Sequence, residues 1–213
     1  GSEMCIRDSL PKSPEPGRAY GMEFQAMAVP IEGGQVMDFS HIAEASQGIK
    51  RLGVLRMDVD DLGRLFREGL GANASMSRLS TMSRLLSLFF KGYLSRICED
   101  FSDVYLTYSG GDDLFLVCPW DRTPELARRI REEFGRFTCD NPNITISAGI
   151  AVVPAKYPLY RAAGLAGDAL EEEAKAVRRG KDGRKAEKDA VSFLGEALGW
   201  EVFERVREIK GDI

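Results

Sequence analysis

Residues 104–108 and 114–118 are two short apolar runs, with Gly110-Gly111-Asp112-Asp113 between them. Runs of that length around a glycine-rich turn read as a two-stranded hairpin. The hairpin constrains the rest of the chain because an earlier apolar run, residues 52–59, also finishes in acid, at Asp58, Asp60 and Asp61. That run reads as a buried strand. A fold for this chain must therefore seat several carboxylates at strand ends.

Between the two features the pattern is helical. Asp60-Asp61 stands where an N-cap belongs, and Leu62, Leu65, Phe66 and Leu70 follow at helical spacing. Residues 69–73 break that helix. A longer one is expected over 77–98, with Leu79, Met82, Leu85, Leu86, Phe89, Phe90, Tyr93, Leu94 and Ile97 as its apolar face. After the hairpin, Pro124 opens a helix to about Phe137, capped by Thr123. Residues 144–152 form a strand. A helix is expected over 160–179, with Leu165, Ala166, Ala169, Leu170 and Ala174 inward. A basic, glycine-containing loop (180–188), a short strand (190–194) and a helix (200–210) complete the chain. Ahead of the first buried strand, 23–29 and 35–39 read as a hairpin around Gly33-Gly34, and Ser40 caps a short helix through Ala45.

A strand, a crossover helix, a hairpin, a helix and a returning strand make a split βαβ. The expected class is α+β, a ferredoxin-like, nucleotidyl-cyclase-type palm: an antiparallel sheet with helices on one face. In that plan Asp58 lies beside Asp112 and Asp113.

Carboxylates gathered at strand ends repel one another and are costly to desolvate. A divalent cation remedies both, and an all-oxygen donor set suits Mg2+ or Mn2+. Two such ions can clamp the attacking and leaving oxygens of a phosphoryl transfer. Gly110 and Gly111 let the backbone approach a nucleotide without side-chain clash. The amides of Val59, Asp60, Asp61, Leu62 and Gly63, at the start of the next helix, are expected to face a phosphate. Lys175, Arg178, Arg179 and Lys181 can neutralise the rest of a triphosphate. Each element also has a plain reading. Gly-Gly-Asp-Asp is an ordinary turn, Asp61 an ordinary N-cap, the late basic run a solvated helix end and His41 an ordinary helix residue. The sequence holds one histidine, which excludes a His-Asp metal nuclease site.

The separated motifs together resemble a known family. They are Arg56-Met57-Asp58-Val59-Asp60-Asp61-Leu62-Gly63, Tyr108-Ser109-Gly110-Gly111-Asp112-Asp113-Leu114-Phe115, Ile144-Thr145-Ile146-Ser147-Ala148-Gly149 and Ala174-Lys175. They are similar to the catalytic palm of GGDEF diguanylate cyclases, class III nucleotidyl cyclases and, above all, the large subunit of type III CRISPR effector complexes in its Csm-type, III-A-like form. The likeness runs from about residue 39 to 210. It implies an enzyme that uses ATP and two metal ions to make cyclic oligoadenylates for antiviral defence. It implies Asp58 and Asp112 as metal ligands, Asp113 as third ligand or base, Gly110 and Gly111 against the nucleotide, and Lys175 and Arg179 at the phosphates. It also implies a second palm of the same parent protein, other effector subunits, and CRISPR and target RNA as partners. Since the two ATP molecules are expected where the palms face each other, this chain is expected to bind one ATP and make little product alone. Two other readings are a diguanylate or other nucleotidyl cyclase and a non-catalytic palm scaffold. Asp113 stands where the diguanylate cyclases have Glu, and the intact acidic cluster weighs against a scaffold.

Residues 1–18 read as tag and linker, 19–50 as a hairpin and helix of the parent protein, 51–196 as the palm and 197–213 as the start of a following helical region. The chain reads as an excerpt of a longer protein. Its formal charge of −4 argues against a protein that mainly grips nucleic acid by its phosphates. No apolar run is long enough for a membrane span, so no membrane partner is expected. Cys5, Cys98, Cys118 and Cys139 form no C-x-x-C pair, which fits a reducing cytoplasm.

Overall fold

Alternation along one central strand organises the molecule. The computed structural model describes residues 26–69, 71, 74–177 and 188–211. Strand β3 (Leu52–Val59) pairs antiparallel with β5 (Asp113–Pro119) on one side and β6 (Ile146–Val153) on the other. Strand β4 (Tyr105–Ser109) pairs with β5, closing the hairpin. Strand β7 (Ala190–Phe193) runs parallel to β6, and β8 (Glu196–Gly199) returns antiparallel to β7. The sheet order is β4-β5-β3-β6-β7-β8. Its first four strands have the split βαβ order, so the fold is the expected α+β palm.

The two faces of β3 are filled differently. Leu55, Met57 and Val59 join Leu114, Leu116 and Cys118 under α3 (Met76–Leu88), α4 (Leu94–Glu99) and α5 (Thr123–Phe137). Phe89, Phe90 and Phe134 lie at the centre of this layer, their rings 5.1–6.0 Å apart. Each buried phenylalanine contributes about 1.5–3 kcal/mol, so this face carries much of the stability. On the other face, Leu52, Val54 and Val117 meet Ile42 and Ala43 of α1 (Phe39–Glu44) and Ala162 and Ala166 of α6 (Leu159–Asp168). Helices therefore cover both faces rather than one. Gly149 permits this second layer, because a Cβ there would stand 2.3 Å from the Ala166 carbonyl oxygen.

Several local readings need correction. The long early helix passes through a π-turn, Phe89–Tyr93, between α3 and α4, and Leu85 and Tyr93 of its expected inner face are exposed. The expected 160–179 helix ends early. After α6 comes a π-turn, Ala169–Glu173, and then one 3-10 turn, Ala174–Ala176. Leu165 is exposed, and Ala162 takes its place inside. Residue Thr123 does not cap α5; its buried hydroxyl bonds to the Pro119 carbonyl. Asp38, not Ser40, caps α1 by accepting from the His41 amide. The early hairpin is a short pair, β1 (Ile31–Glu32) and β2 (Gln35–Val36), around Gly33-Gly34; residues 23–25 lie outside the described residues. Helices α2 (Leu62–Glu68) and α7 (Trp200–Gly211) match the pattern. No helix among the described residues is long and apolar enough to cross a membrane.

Candidate active site

Strand register places the acids. Asp58 stands directly opposite Asp113 in the β3–β5 ladder, on the sheet face that carries Val54 and Val117. Two like charges facing each other across a ladder destabilise it. Asp112 is in the turn, where its carbonyl accepts from the Val59 amide at 3.1 Å. Burial first, then the charge of Asp58, push both the Asp112 and the Asp113 carboxyls above the usual range. Asp113 is partly compensated by Arg56, whose Nη2 lies 4.0 Å away, and by a hydrogen bond from the Tyr108 hydroxyl.

Lys175 supplies the cation at Asp58. Its Nζ lies 2.5 Å from Asp58 Oδ2 and 2.6 Å from Glu171 Oε1. Burial alone would lower its pKa, but the hydrogen bonds from its ammonium to those two carboxylates outweigh that and raise it. The break in the helix after α6 is what aims it. A π-turn followed by a 3-10 turn places Ala174 in the core and Lys175 over the strand end.

The turn glycines have distinct duties. The Gly110 amide donates to the Asp113 carbonyl, and a Cβ at Gly110 would lie 2.3 Å from Asp113 Oδ1. A side chain at this position would push the Asp113 carboxylate and the Tyr108 hydroxyl aside. Gly111 faces α3, where a Cβ at this position would meet Ser87 Oγ at 3.7 Å, an ordinary contact.

The stretch after Asp58 divides by use. The Val59 amide is spent on Asp112 and its side chain is core. Asp60 is buried; its amide donates to the Thr145 carbonyl. Oδ2 of Asp60 accepts from Thr145 Oγ1, Ser147 Oγ and the Asp189 amide at 2.9–3.0 Å. Val59 and Asp60 thus have no amide to offer a phosphate. Asp61 occupies the N-cap position of α2 in the left-handed region (φ 51°) with no side-chain cap; its carboxylate accepts from Lys188 at 2.9 Å. Leu62 and Gly63 begin the helix, where first-turn amides lack intrahelical acceptors. Arg179 lies outside the described residues, as do Arg178 and Lys181.

Residue pattern alone gives no role to Arg56, Glu171, Tyr108 or Lys188. Two of these have a usable signal. Arg56 precedes Asp58 by two residues and so shares its face. Glu171 precedes Lys175 by four.

Among the described residues, no three carboxylate, imidazole or thiolate side chains converge to cage an ion. The donor chemistry of Asp58, Asp112 and Asp113 nevertheless fits Mg2+ or Mn2+, since all are oxygens and two have carboxyls pushed up by burial and by the charge of Asp58. A separate concavity of about 870 Å³ opens beside Asp61, Arg64, Arg131, Asn141, Lys188 and Asp189, and neither Asp58 nor Asp112 lines it.

Several known proteins are similar to this chain. A family model described as Cas10/Cmr2, second palm domain, matches residues 51–185. A CRISPR system single-strand-specific deoxyribonuclease Cas10/Csm1 (subtype III-A) from Methanocaldococcus jannaschii is 37% identical over 185 residues, taking in 79% of this chain and 23% of the relative. The chain therefore spans under a quarter of that relative's length. Among solved structures, a Csm1-Csm4 cassette in complex with AMPPNP superposes with a TM-score of 0.69 at 29% identity, covering 90% of this chain and 30% of that one. The same cassette in complex with cA4 gives 0.67 at 29% identity, over 85% and 28%.

Proposed function

We propose that this chain, which belongs to the Cas10/Cmr2 second palm domain family, takes part in joining ATP into cyclic oligoadenylate. The observation that carries the reading is the placement of Asp58, Asp112 and Asp113 at one sheet end, with Lys175 on Asp58. The similar cassettes were solved with AMPPNP and with cA4, which supports a nucleotide site of this kind. In the reaction, the 3′-hydroxyl oxygen of one ATP bonds to the α-phosphorus of another, and the bond to pyrophosphate breaks.

Asp58 and Asp112, with Asp113 as third ligand, would hold Mg2+ or Mn2+, which would supply charge neutralisation for the transfer. The chain's residues do the rest. Asp113 is alternatively the base that takes the hydroxyl proton, a role suited to a carboxyl already pushed upward. The Gly110-Gly111 backbone lies against the nucleotide. Lys175 offsets charge on the departing pyrophosphate, with Arg179 beside it. The first-turn amides of Leu62 and Gly63 face a phosphate. The palm spans 51–196 in this reading.

A second palm of the parent protein completes the site, and a Csm4-like subunit, CRISPR RNA and target RNA are its further partners. The nuclease named for the relatives is not assigned to these residues: His41, the single histidine, is exposed on α1 beside Asp38. Labelled ATP with Mn2+ tests the reading. The chain alone should give little cyclic product, the chain with its partner palm should give product, and Asp112→Ala with Asp113→Ala should abolish it. Robust product from the double variant would overturn the assignment.

A further inference from the structure

The Asp58 carboxylate, proposed above as a ligand of the divalent cation, already has an ammonium on one oxygen. Lys175 Nζ sits 2.5 Å from Asp58 Oδ2, and the lysine side chain is only 11% exposed. Its backbone is fixed nearby. Ala174 is fully buried, and the preceding Glu173 carboxylate accepts a hydrogen bond from the Ser192 hydroxyl of β7. The side chain, by contrast, has four rotatable bonds and a second carboxylate, Glu171, within 2.6 Å. Glu171 is 60% exposed, so it can follow the ammonium toward solvent.

An ammonium at hydrogen-bond distance and a divalent ion on the same carboxylate repel each other at close range, so each weakens the other's hold. We propose that Lys175 is a placeholder cation: it competes with the divalent ion for Asp58 and moves onto the nucleotide's phosphates when the ion arrives. This deepens the reading above and rests on it. The exchange keeps the acidic cluster compensated throughout, since Asp58 gains the ion as it loses the lysine. Metal alone works against Lys175 with no new partner for it, whereas metal with nucleotide provides one. Metal and nucleotide should therefore each strengthen the other's binding, by the same factor.

The test is Mn2+ binding to the full chain, read by electron paramagnetic resonance, with and without ATP. Lys175→Gln should bind Mn2+ alone at least about tenfold more tightly than wild type, the scale expected for removing a charge in contact with the site. It should also lose most of the gain that ATP confers. Lys175→Arg, which keeps a cation on Asp58, should match wild type for Mn2+ alone. Lys188→Gln removes a nearby charge that sits on Asp61 instead, and should change Mn2+ affinity less than about twofold if contact rather than general field is responsible. Adding Asp58→Asn should erase the Lys175→Gln gain. A Lys175→Gln affinity within twofold of wild type overturns the placeholder while leaving the metal site standing. Absence of Mn2+ binding in every variant, with ATP present, overturns both. A measurement on the wild type needs no variant to fold: saturating Mg2+ should shift the Lys175 ammonium nitrogen resonance, and an unmoved signal contradicts the proposal.

Discussion

Asp58 and Asp60 lie two residues apart at the end of the same strand, yet their carboxylates are held in opposite ways. Asp60 is held by neutral donors built into the fold: the hydroxyls of Thr145, just before β6, and Ser147 within it, and the amide of Asp189, just before β7. Among the described residues its Oδ1 has no partner, and burial pushes its pKa up despite those bonds. Asp58 is held by one removable cation and faces another acid across the ladder. Fixed neutral donors cannot be exchanged without unfolding something. A lysine side chain can be exchanged by rotation. The difference separates a carboxylate that ties strands together from one that can change partners.

The comparison can be broken most sharply by stability. Asp60→Ala strands three donors in a buried site and should cost about 3 kcal/mol, lowering Tm by roughly 6–12 °C for a chain of this size. Asp60→Asn keeps an acceptor oxygen and should cost under about 1 kcal/mol. Thermal melts check both; an Asp60→Ala variant as stable as Asp58→Ala would erase the distinction. Asp113→Asn should act in the other direction. It removes one like charge from a facing pair, worth up to about 1 kcal/mol, or a Tm gain of about 2–4 °C near neutral pH.

The pH dependence of that gain has a definite sign. The folded Asp113 carboxyl is raised, by burial first and then by Asp58, so the folded chain binds more protons than the unfolded one between the ordinary and the raised values. Its penalty therefore grows as pH rises through that window and is complete above it. The advantage of Asp113→Asn should be full above the raised value and vanish below the ordinary carboxylate range. Melts across that range check it. A smaller effect concerns the core side of the sheet. Burial pushes the Cys98 and Cys118 thiols up to about 12, while Cys139 is exposed. At pH 8 an alkylating reagent should modify Cys139 at once and the other two only on unfolding, as peptide mass spectrometry would report.

Much of this was legible from residue order. The apolar runs of β3, β5 and β6 identified the split βαβ, and its topology alone brought Asp58 to Asp112 and Asp113. The helix break before Lys175 was not legible, because Ala169 to Ala176 contains no proline or glycine and reads as an unbroken helix. Packing of Leu170 and Ala174 against the sheet decides it. Strand β8 was missed for a similar reason. It is four residues long and half-exposed, and its turn uses positive φ at Leu194 as well as Gly195. The duty of Asp60 was hidden because its partners Thr145, Ser147 and Asp189 lie 85 to 129 residues away.

The central claim is that the acids at the end of β3 and in the β4–β5 turn form a metal-dependent ATP site. Calorimetric titration with ATP and with GTP, in Mn2+, tests it on wild type and on Asp112→Ala with Asp113→Ala. The account predicts ATP binding in preference to GTP, weakened by about a hundredfold or more in the double variant, the scale of losing two charged contacts. Equal ATP binding by the double variant would contradict the site, and a preference for GTP would contradict the substrate.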